Sequence, residues 1–542
     1  MIFLSTLLVS VLITIALTPA FSALALRFQL VDLPNERKVH QVPVPRVGGI
    51  AMALGAFIPI ICWRYADSFV QAYLVGAAIL VLFGAVDDFR DLSPRIKFLG
   101  QIAAALSAVF LGGIRISNLG MLAPENYLLP GWLAVPLTVV AIVGVTNAIN
   151  LSDGLDGLAG GISLLIFAGI GYLAYLVGDF SVGLISLALG GALFGFLRFN
   201  THPASIFMGD SGSQFLGFSA ITLSLGLTQG RATALSPILP LILLGFPILD
   251  TLTVMVARIS RGRSPFSADR NHFHHNLMAL GFLHPESVLI IYLFQTFLLL
   301  ASVHFRFYSD WSLLGGYLVF SLLVLAGFSH AARTRRTVRR LDFFDAKIAG
   351  RLRLLKREGV VIRYSFRLFE SGVPLLLFIT CLVAQRPPLY GTLICAVSGA
   401  AILIVCRFRN AWLPGLLRFV LYLLIPFSVY LGGGLISLYA DTPLLRFYNG
   451  SFGAVALLII LVSKFSRRKS GFRSSPMDFL IGILALVVPN LPEQQIQEYQ
   501  VGLTAAKILL LYFSFEVLQA EMRGKMNRFA LWTVASLVAL AC

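Results

Sequence analysis

Two groups of acidic and amide side chains have the spacing of a metal and phosphate site. Asp87 and Asp88 are adjacent, and neighbouring carboxylates repel each other unless a cation or a proton lies between them. They are candidates for metal ligands, a general base or a proton-sharing pair, with a solvated helix end as the alternative. The second group recurs at intervals of three, which would place its members on one face of a helix. It comprises Asn147, Asn150, Asp153 and Asp156. This stripe predicts one wall lined with oxygen ligands.

Two further segments are rich in glycine next to charged residues. Asp210 lies in Phe207-Met-Gly-Asp-Ser-Gly-Ser213. An acidic residue in a Gly/Ser turn at the start of a helix offers a metal-binding oxygen beside backbone amides that bind phosphate. A plain helix cap by Asp210 is the alternative. The loop around Arg46 contains Pro and Gly, which indicates a fixed, turned backbone, although an ordinary basic loop explains it as well.

The most basic loop of the first half ends in histidines. Its candidate substrate-binding residues are Arg270, His272, His274 and His275. Histidines could bind a transition metal, but two of these are adjacent and no Cys or Glu completes a zinc set. Recognition of phosphate by Arg and His is therefore favoured. With Lys97, these cations would clamp a diphosphate, while the carboxylate and amide oxygens suit Mg²⁺, or Mn²⁺ as the alternative ion.

The composition predicts that these residues are positioned by membrane helices. Of the 542 residues, 58% are hydrophobic and 12% are charged, whereas a soluble domain carries about 25% charged residues. The apolar residues form blocks long enough to cross a bilayer, so the predicted fold is all-α, a polytopic helical membrane protein. The net charge of +17 comes from Lys and Arg in alternate loops. No soluble basic domain is present to bind nucleic acid, and the five scattered cysteines are interpreted as packing residues.

About 11 spans are predicted in the first half, and they bring every polar cluster to one basic face. Because positive loops face the cytoplasm, this is predicted to be the cytoplasmic face. The chain start lacks a positive region, so a retained first span is expected rather than a cleaved signal peptide. The spans are predicted near residues 1–26, 47–63, 70–86, 96–113, 131–148, 158–177, 181–197, 213–228, 234–256, 287–304 and 312–330.

The second half contains no clear motif for chemistry. Residues 1–332 are predicted to form the catalytic membrane domain, and 333–370 a basic cytoplasmic or interfacial segment. That segment is either a helix on the anionic inner leaflet or a loop that only fixes orientation. Residues 371–542 are predicted to hold about seven further spans, of unknown role, which start near 371, 390, 414, 451, 478, 500 and 529.

The polar clusters resemble those of the polyprenyl-phosphate N-acetylhexosamine-1-phosphate transferases. The matching residues are Asp87-Asp88, Asn147-Ala-Ile-Asn-Leu-Ser-Asp-Gly-Leu-Asp-Gly-Leu-Ala159, Phe207-Met-Gly-Asp-Ser-Gly-Ser213 and His272-Phe-His-His275. They run in order through about residues 1–330, beyond which a typical member would end. The His-Phe-His-His form looks like the WecA and TagO branch, with the muramoyl-pentapeptide branch (MraY) as the alternative.

The resemblance implies a Mg²⁺-dependent transfer of N-acetylhexosamine-1-phosphate from a UDP-sugar to undecaprenyl phosphate. GlcNAc is the common donor of the family, UMP is released, and the product would start a polysaccharide of O-antigen, common-antigen or teichoic-acid type. By matching positions, Asn150 and Asp210 would hold the metal, and Asp87 would act on the lipid phosphate with support from Asp88. Substrate-binding roles are expected for Arg46, Lys97, Asn147, Asp153, Asp156, Arg270, His272, His274 and His275. A lipid phosphate is already largely ionised at neutral pH, so positioning and charge neutralisation could suffice without a base.

The expected partners follow from this reaction. They are undecaprenyl phosphate, a UDP-N-acetylhexosamine and the bilayer, with a homodimer left open and nucleic acid excluded. A transporter or flippase of lipid-linked sugar is the non-enzyme alternative. Such a protein would place ionisable residues and broken helices near the middle of the bilayer, whereas these clusters are predicted at one interface.

Overall fold

The computed structural model describes most of the chain, in two compact units, Met1–Arg339 and Arg340–Cys542. The described residues are 2–28, 31–32, 43–124, 127–229, 234–264, 272–333, 360–408, 412–438, 443–465, 501–521 and 526–542.

The described part of the first unit is a bundle of α-helices with a two-stranded antiparallel ribbon, β1 and β2. The helices are α1 Ile2–Arg27, α2 Gly48–Arg64, α3 Ser68–Arg90, α4 Pro94–Phe110, α5 Gly131–Leu151, α6 Leu158–Val177, α7 Phe180–Asn200, α8 Gly209–Gln229, α9 Leu239–Leu243, α10 Gly245–Ile259, α11 Phe273–Ala279, α12 His284–His304 and α13 Asp310–Arg333. The strands are β1 Val31–Asp32 and β2 Val44–Pro45. Over all described residues, ten helices are long and apolar enough to cross a membrane. The predicted all-α, polytopic membrane fold is therefore confirmed.

Helix α8 lies at the centre of the bundle, packed against α2, α3, α5 and α6. Nearly all of its residues are buried although many are polar. Several of its hydroxyls bond carbonyls within the helix: Ser219 donates to the Phe215 carbonyl and Ser224 to the Ala220 carbonyl, both at 2.7 Å. Small residues also let the neighbouring backbones approach. A helix enclosed by other helices can therefore carry the polar residues that a lipid-facing helix could not.

One predicted span, 234–256, is wrong as a single helix. The structure divides it into α9 and α10. Pro247 lacks the N–H that would bond the carbonyl four residues earlier, and that carbonyl belongs to Leu243. Gln295 of α12 donates to the Leu243 carbonyl instead, at 2.8 Å. The bundle therefore satisfies the backbone group that the break exposes, as a membrane interior requires.

The second unit is also helical where it is described. Its helices are α14 Val360–Val383, α15 Leu389–Phe408, α16 Leu413–Leu438, α17 Pro443–Phe465, α18 Val501–Glu521 and α19 Met526–Ala541. Helix α14 begins within the segment predicted as 333–370, so the span predicted from 371 starts too late. Neither Gly nor Pro interrupts the chain between Val360 and Gly372, so the helix continues past the apolar block. The span predicted from 478 lies outside the described residues, as does 334–359.

Candidate active site

Glycines bring three helices together at one end of the bundle. A Cβ atom on Gly84 of α3 would lie 2.5 Å from the Ser211 nitrogen of α8. A Cβ atom on Gly49 of α2 would lie 2.5 Å from the Cα of Gly212. The Gly49 N–H donates to the Met208 carbonyl at 2.9 Å. The start of α8 is thus held by backbone contact with α2 and α3, at distances that no larger residue allows.

Asp88 caps α8 from a different helix. Its carboxylate accepts the N–H groups of Asp210 at 2.8 Å and Ser211 at 3.1 Å, and the Ser211 hydroxyl at 2.8 Å. The first N–H groups of a helix have no partner inside it, and a negative charge there is favourable. Gly209 has φ +69°, and a Cβ atom on it would lie 2.5 Å from an Asp88 oxygen. Asp88 thereby fixes where α8 begins.

The capping role considered for Asp210 is not observed, because its side chain lies elsewhere. One Asp210 oxygen accepts the Asn150 amide at 3.0 Å, and the other lies 2.9 Å from the Lys97 ammonium. Lys97 also lies 2.5 Å from Asp87, whose second oxygen accepts the Leu92 N–H at 2.6 Å. The ends of α3 and α5 and the starts of α4 and α8 therefore meet in one cluster of two carboxylates, one amide and one ammonium.

The predicted polar stripe does not lie on one helix face. Helix α5 ends at Leu151, so Asp153 and Asp156 belong to the turn that follows it. Asn147 is on the helix, but its amide pairs with Gln101, donating at 2.7 Å. The prediction of a single oxygen-lined wall was therefore wrong, because the helix ends before the third member of the stripe.

Asp153 is a half-buried carboxyl group in this turn. Among the described residues, its carboxyl group has no hydrogen bond or ion pair of its own. Burial, and then the negative charges of Asp210, Asp156 and Asp88, raise the pKa of Asp153 to about 7. A cation or hydrogen-bond donor placed there would relieve this cost, so Asp153 is poised to meet a ligand.

Asp156 lies in a different environment. It lies 2.7 Å from the Nδ1 atom of His202 and accepts the Ala204 N–H at 3.1 Å. Burial alone would raise the pKa of Asp156, but these hydrogen bonds and the nearby His284 hold it below its usual value. Two acids three residues apart therefore differ in pKa because of their neighbours.

Two of the predicted histidines are buried. The His272 ring pairs with Asp250 of α10, at 2.9 Å. His274 is 3% exposed, and within the described residues its Nε2 atom has no hydrogen-bond partner. Burial, and then the charge of His275, lower the pKa of His274 to about 3. His274 is therefore a neutral ring, which can contribute hydrogen bonds but no positive charge.

His274 also reaches the turn after α5, since a Cβ atom on Gly154 would lie 2.6 Å from its ring. The rings of His274 and half-buried His275 are 4.2 Å apart. Arg270 lies outside the described residues. Arg46 is ion-paired with Asp32 beside the ribbon, whose Pro45 carbonyl accepts the Phe207 N–H at 2.8 Å.

Four polar residues of this region were not predicted from the sequence. Gln101 bonds Asn147 and, at 3.2 Å, Gln214, while His202 and His284 contact Asp156. Gln101 is four positions after Lys97, hence on the same face of α4, and Gln214 directly follows the Gly/Ser segment. Those two signals were in the sequence. The sequence contains no signal for the pairing of His202 with His284, which are 82 positions apart in the chain.

The chain belongs to glycosyl transferase family 4, whose profile matches residues 70–228. It is 39% identical over 319 residues to the probable undecaprenyl-phosphate N-acetylglucosaminyl 1-phosphate transferase of Bacillus subtilis (strain 168), covering 58% of this chain and 88% of that protein. It is 32% identical over 323 residues to the undecaprenyl-phosphate alpha-N-acetylglucosaminyl 1-phosphate transferase of Yersinia pestis, with the same two coverages. The protein of that name from Escherichia coli (strain K12) is 33% identical over 321 residues, covering 58% and 87%.

These matches confirm the family resemblance drawn from the motifs. The protein is a multi-pass membrane enzyme of this family. In each of the three alignments, 42% of this chain (100% − 58%) lies outside the match.

Proposed function

We propose that the first unit transfers GlcNAc-1-phosphate from UDP-GlcNAc to undecaprenyl phosphate and releases UMP. The observation that carries this proposal is the cluster of Asp87, Lys97, Asn150 and Asp210 at the meeting point of four helix ends. The named relatives act on undecaprenyl phosphate and GlcNAc 1-phosphate, and the chain has the residues to handle both phosphates.

The carboxylate and amide oxygens of this cluster fit a divalent cation. Asp87 and Asp210 both direct an oxygen at the Lys97 ammonium, at 2.5 and 2.9 Å, so a positive charge already occupies the space between them. Carboxylate and amide oxygens are the ligands that Mg²⁺ prefers. Asp210 and Asn150 would hold the ion, with Asp87 beside it. When bound, Mg²⁺ would neutralise charge on the diphosphate.

The reaction requires little more from the protein than position and charge. An oxygen of the lipid phosphate forms a bond to the β-phosphorus of UDP-GlcNAc, and the bond from that phosphorus to the bridging oxygen breaks as UMP leaves. The attacking phosphate is already ionised at neutral pH, so no proton has to be removed. Both Asp87 oxygens already have partners in Lys97 and the Leu92 N–H. Asp87 therefore acts by orienting Lys97, rather than as a proton acceptor.

The turn after α5 is the proposed binding region for the nucleotide. Within the described residues, the Asp153 carboxyl group is unpaired there, and neutral His274 packs against Gly154. A buried polar atom without a partner is costly, so a ligand that hydrogen-bonds the His274 Nε2 atom would be favoured. His275 lies at the edge of the same region.

The site is proposed to face the cytoplasm of a bacterial inner membrane. Arg90 and Arg95 flank the turn between α3 and α4, while Arg258 lies in the last turn of α10 and Arg263 follows that helix at the same end. The described turn at the opposite end between α6 and α7, Gly178–Asp179, contains no basic residue. Basic loops remain on the cytoplasmic side, where UDP-sugars are available.

The test is UMP release by the purified full chain from a panel of UDP-sugars with undecaprenyl phosphate, followed by mass spectrometry of the lipid. We expect UMP and a lipid-linked GlcNAc diphosphate, abolished by chelation and restored by Mg²⁺. Asp210→Asn should reduce turnover by ~100-fold or more. Asp179→Asn is the matched control, because it changes a helix-capping aspartate at the opposite end and should keep activity.

Three results would count against the proposal. Full activity of Asp210→Asn would remove the cluster from the reaction. A preference for a UDP-muramoyl-pentapeptide would place the chain with the other branch of the family. Movement of a lipid-linked sugar across proteoliposomes without UMP formation would indicate a transporter.

A further inference from the structure

Asp156, His202 and His284 form a cluster beside the proposed active site. They come from three separate segments: the turn after α5, the loop before α8 and the start of α12. His202 Nδ1 lies 2.7 Å from an Asp156 oxygen, and the rings of His202 and His284 are stacked with centroids 4.2 Å apart. One ligand atom from each residue lies within 4.8 Å of the other two. Three potential ligands thus converge from segments distant in sequence.

The hydrogen bonds define which nitrogen of His284 carries a lone pair. The Asp156 N–H donates to its Nε2 atom at 3.1 Å, so Nε2 is unprotonated and the proton is on Nδ1. The Nδ1 atom is buried and has no hydrogen-bond partner among the described residues. A metal ion binds an imidazole nitrogen through its lone pair, so an ion here would bind Nε2 in exchange for the hydrogen bond from the Asp156 N–H.

From this geometry we infer a site for a transition-metal ion of the zinc class, with Asp156, His202 and His284 as ligands. Two imidazoles and one carboxylate are a set that zinc accepts, whereas Mg²⁺ prefers oxygen ligands alone. Zinc–ligand bonds of about 2.0–2.2 Å place tetrahedral ligand atoms about 3.4 Å apart. The present spacings, which are all within 4.8 Å, therefore have to contract by at most about 1.4 Å, which side-chain rotation supplies. Three protein ligands leave the fourth position for water or another small ligand.

This site is distinct in chemistry from the cluster around Asp210. That cluster offers carboxylate and amide oxygens and is bridged by Lys97, while this one offers nitrogen. An ion bound here would tie the turn that carries Asp153 to the loop that leads into α8. The inference does not depend on the proposed transferase activity, since it concerns metal retention.

The test is metal binding by the full chain, purified in detergent without a histidine tag and stripped with chelator. Co²⁺ is added as a spectroscopic probe, and Zn²⁺ retained after gel filtration in excess Mg²⁺ is measured by mass spectrometry. We expect visible absorption typical of tetrahedral Co²⁺ and a single Zn²⁺ per chain that Mg²⁺ does not displace. His202→Asn and His284→Asn should each lose the retained ion and the absorption.

The matched control is His304→Asn, because His304 is an exposed histidine at the other end of α12. It should retain the ion. Should His284→Asn fail to fold, His202→Asn decides the question, because the His202 side chain is 37% exposed. The inference is overturned by a wild-type chain that retains no Zn²⁺. Equal retention in both variants, with loss in His275→Asn, also overturns it by placing the ion in the other histidine cluster.

Discussion

The contact between α3 and α8 leads to a prediction in which no charged or polar group is changed. Gly84→Ala adds one methyl group, whose carbon would lie 2.5 Å from the Ser211 nitrogen and 2.8 Å from the Asp210 carbonyl carbon. Ordinary contacts between heavy atoms are about 3.5–4.0 Å, so α3 and α8 have to separate by roughly 1 Å. The methyl therefore moves Asp87 and Asp88 relative to Asp210.

The magnitudes of the two effects differ. Overpacking costs about 1–3 kcal/mol, and replacing Gly by Ala in a helix returns about 0.5–1 kcal/mol. We therefore expect a net loss of stability of about 1–2 kcal/mol. A displacement of 1 Å in a catalytic constellation costs ~100-fold in rate, so activity should fall far more than stability.

The assay measures UMP release and thermal melting of the same preparation. Gly144→Ala is the control, since Gly144 is an exposed glycine of α5. A Cβ atom added there would meet no neighbouring atom of the described residues within 4 Å, so this variant should match or exceed the wild type in stability. The reasoning fails if Gly84→Ala retains wild-type turnover. It also fails if both variants lose activity to the same degree, because the close approach would then not be the cause.

Three further predictions concern the charged groups. Asp88→Ala removes the cap of α8 and should lower the free energy of unfolding by about 2 kcal/mol. Asp88→Asn retains an acceptor and should lose less stability. Equal melting temperatures of the two variants would contradict the capping role. Lys97→Met leaves Asp87 facing Asp210 without a counter-charge, so its melting temperature in chelator should fall and Mg²⁺ should restore it more than in the wild type. Because the pKa of Asp153 is raised to about 7, its contribution to stability is complete below the ordinary pKa of about 3.9 and is lost as the pH rises through 7. In chelator, the melting temperature of the wild type should therefore fall between about pH 5 and pH 8 relative to that of Asp153→Asn. Parallel pH profiles of the two proteins would show that Asp153 takes up no proton on folding in this range.

The membrane fold could be predicted because hydropathy and loop charge are local properties. Each apolar block of the first half corresponds to a helix. Because an even number of spans separates Asp87, Asn150 and Asp210 from one another, the predicted order of spans places all three at one end. The exception, 234–256, shows what hydropathy omits. A proline changes hydrogen bonding without changing how apolar a segment is, and only the Gln295 contact shows how the break is tolerated.

The site was less predictable because its contacts join distant segments. Asp88 and the α8 amides are more than 120 positions apart, and nothing in the acidic pair shows which carboxylate faces which helix. For the polar stripe, Gly154 and Gly157 indicated a helix end, yet the interval of three was extended through them. The pKa of Asp156 differs from that of Asp153 because His202 and His284 lie next to Asp156. The positions of these two histidines follow only from tertiary packing.

The bridge formed by Lys97 has a consequence for the order in which ligands bind. Without a divalent ion, the two carboxylates hold an internal counter-ion that is covalently tethered to α4. A Mg²⁺ ion held by Asp210 and Asn150 would take the place of this ammonium at Asp210, so the local gain is one unit of charge and not two. The ammonium, still paired with Asp87, would then be available to a newly arrived diphosphate. Metal entry and substrate capture would thereby become two halves of one ion-exchange event, with the nucleotide sugar binding more tightly after the metal than before it.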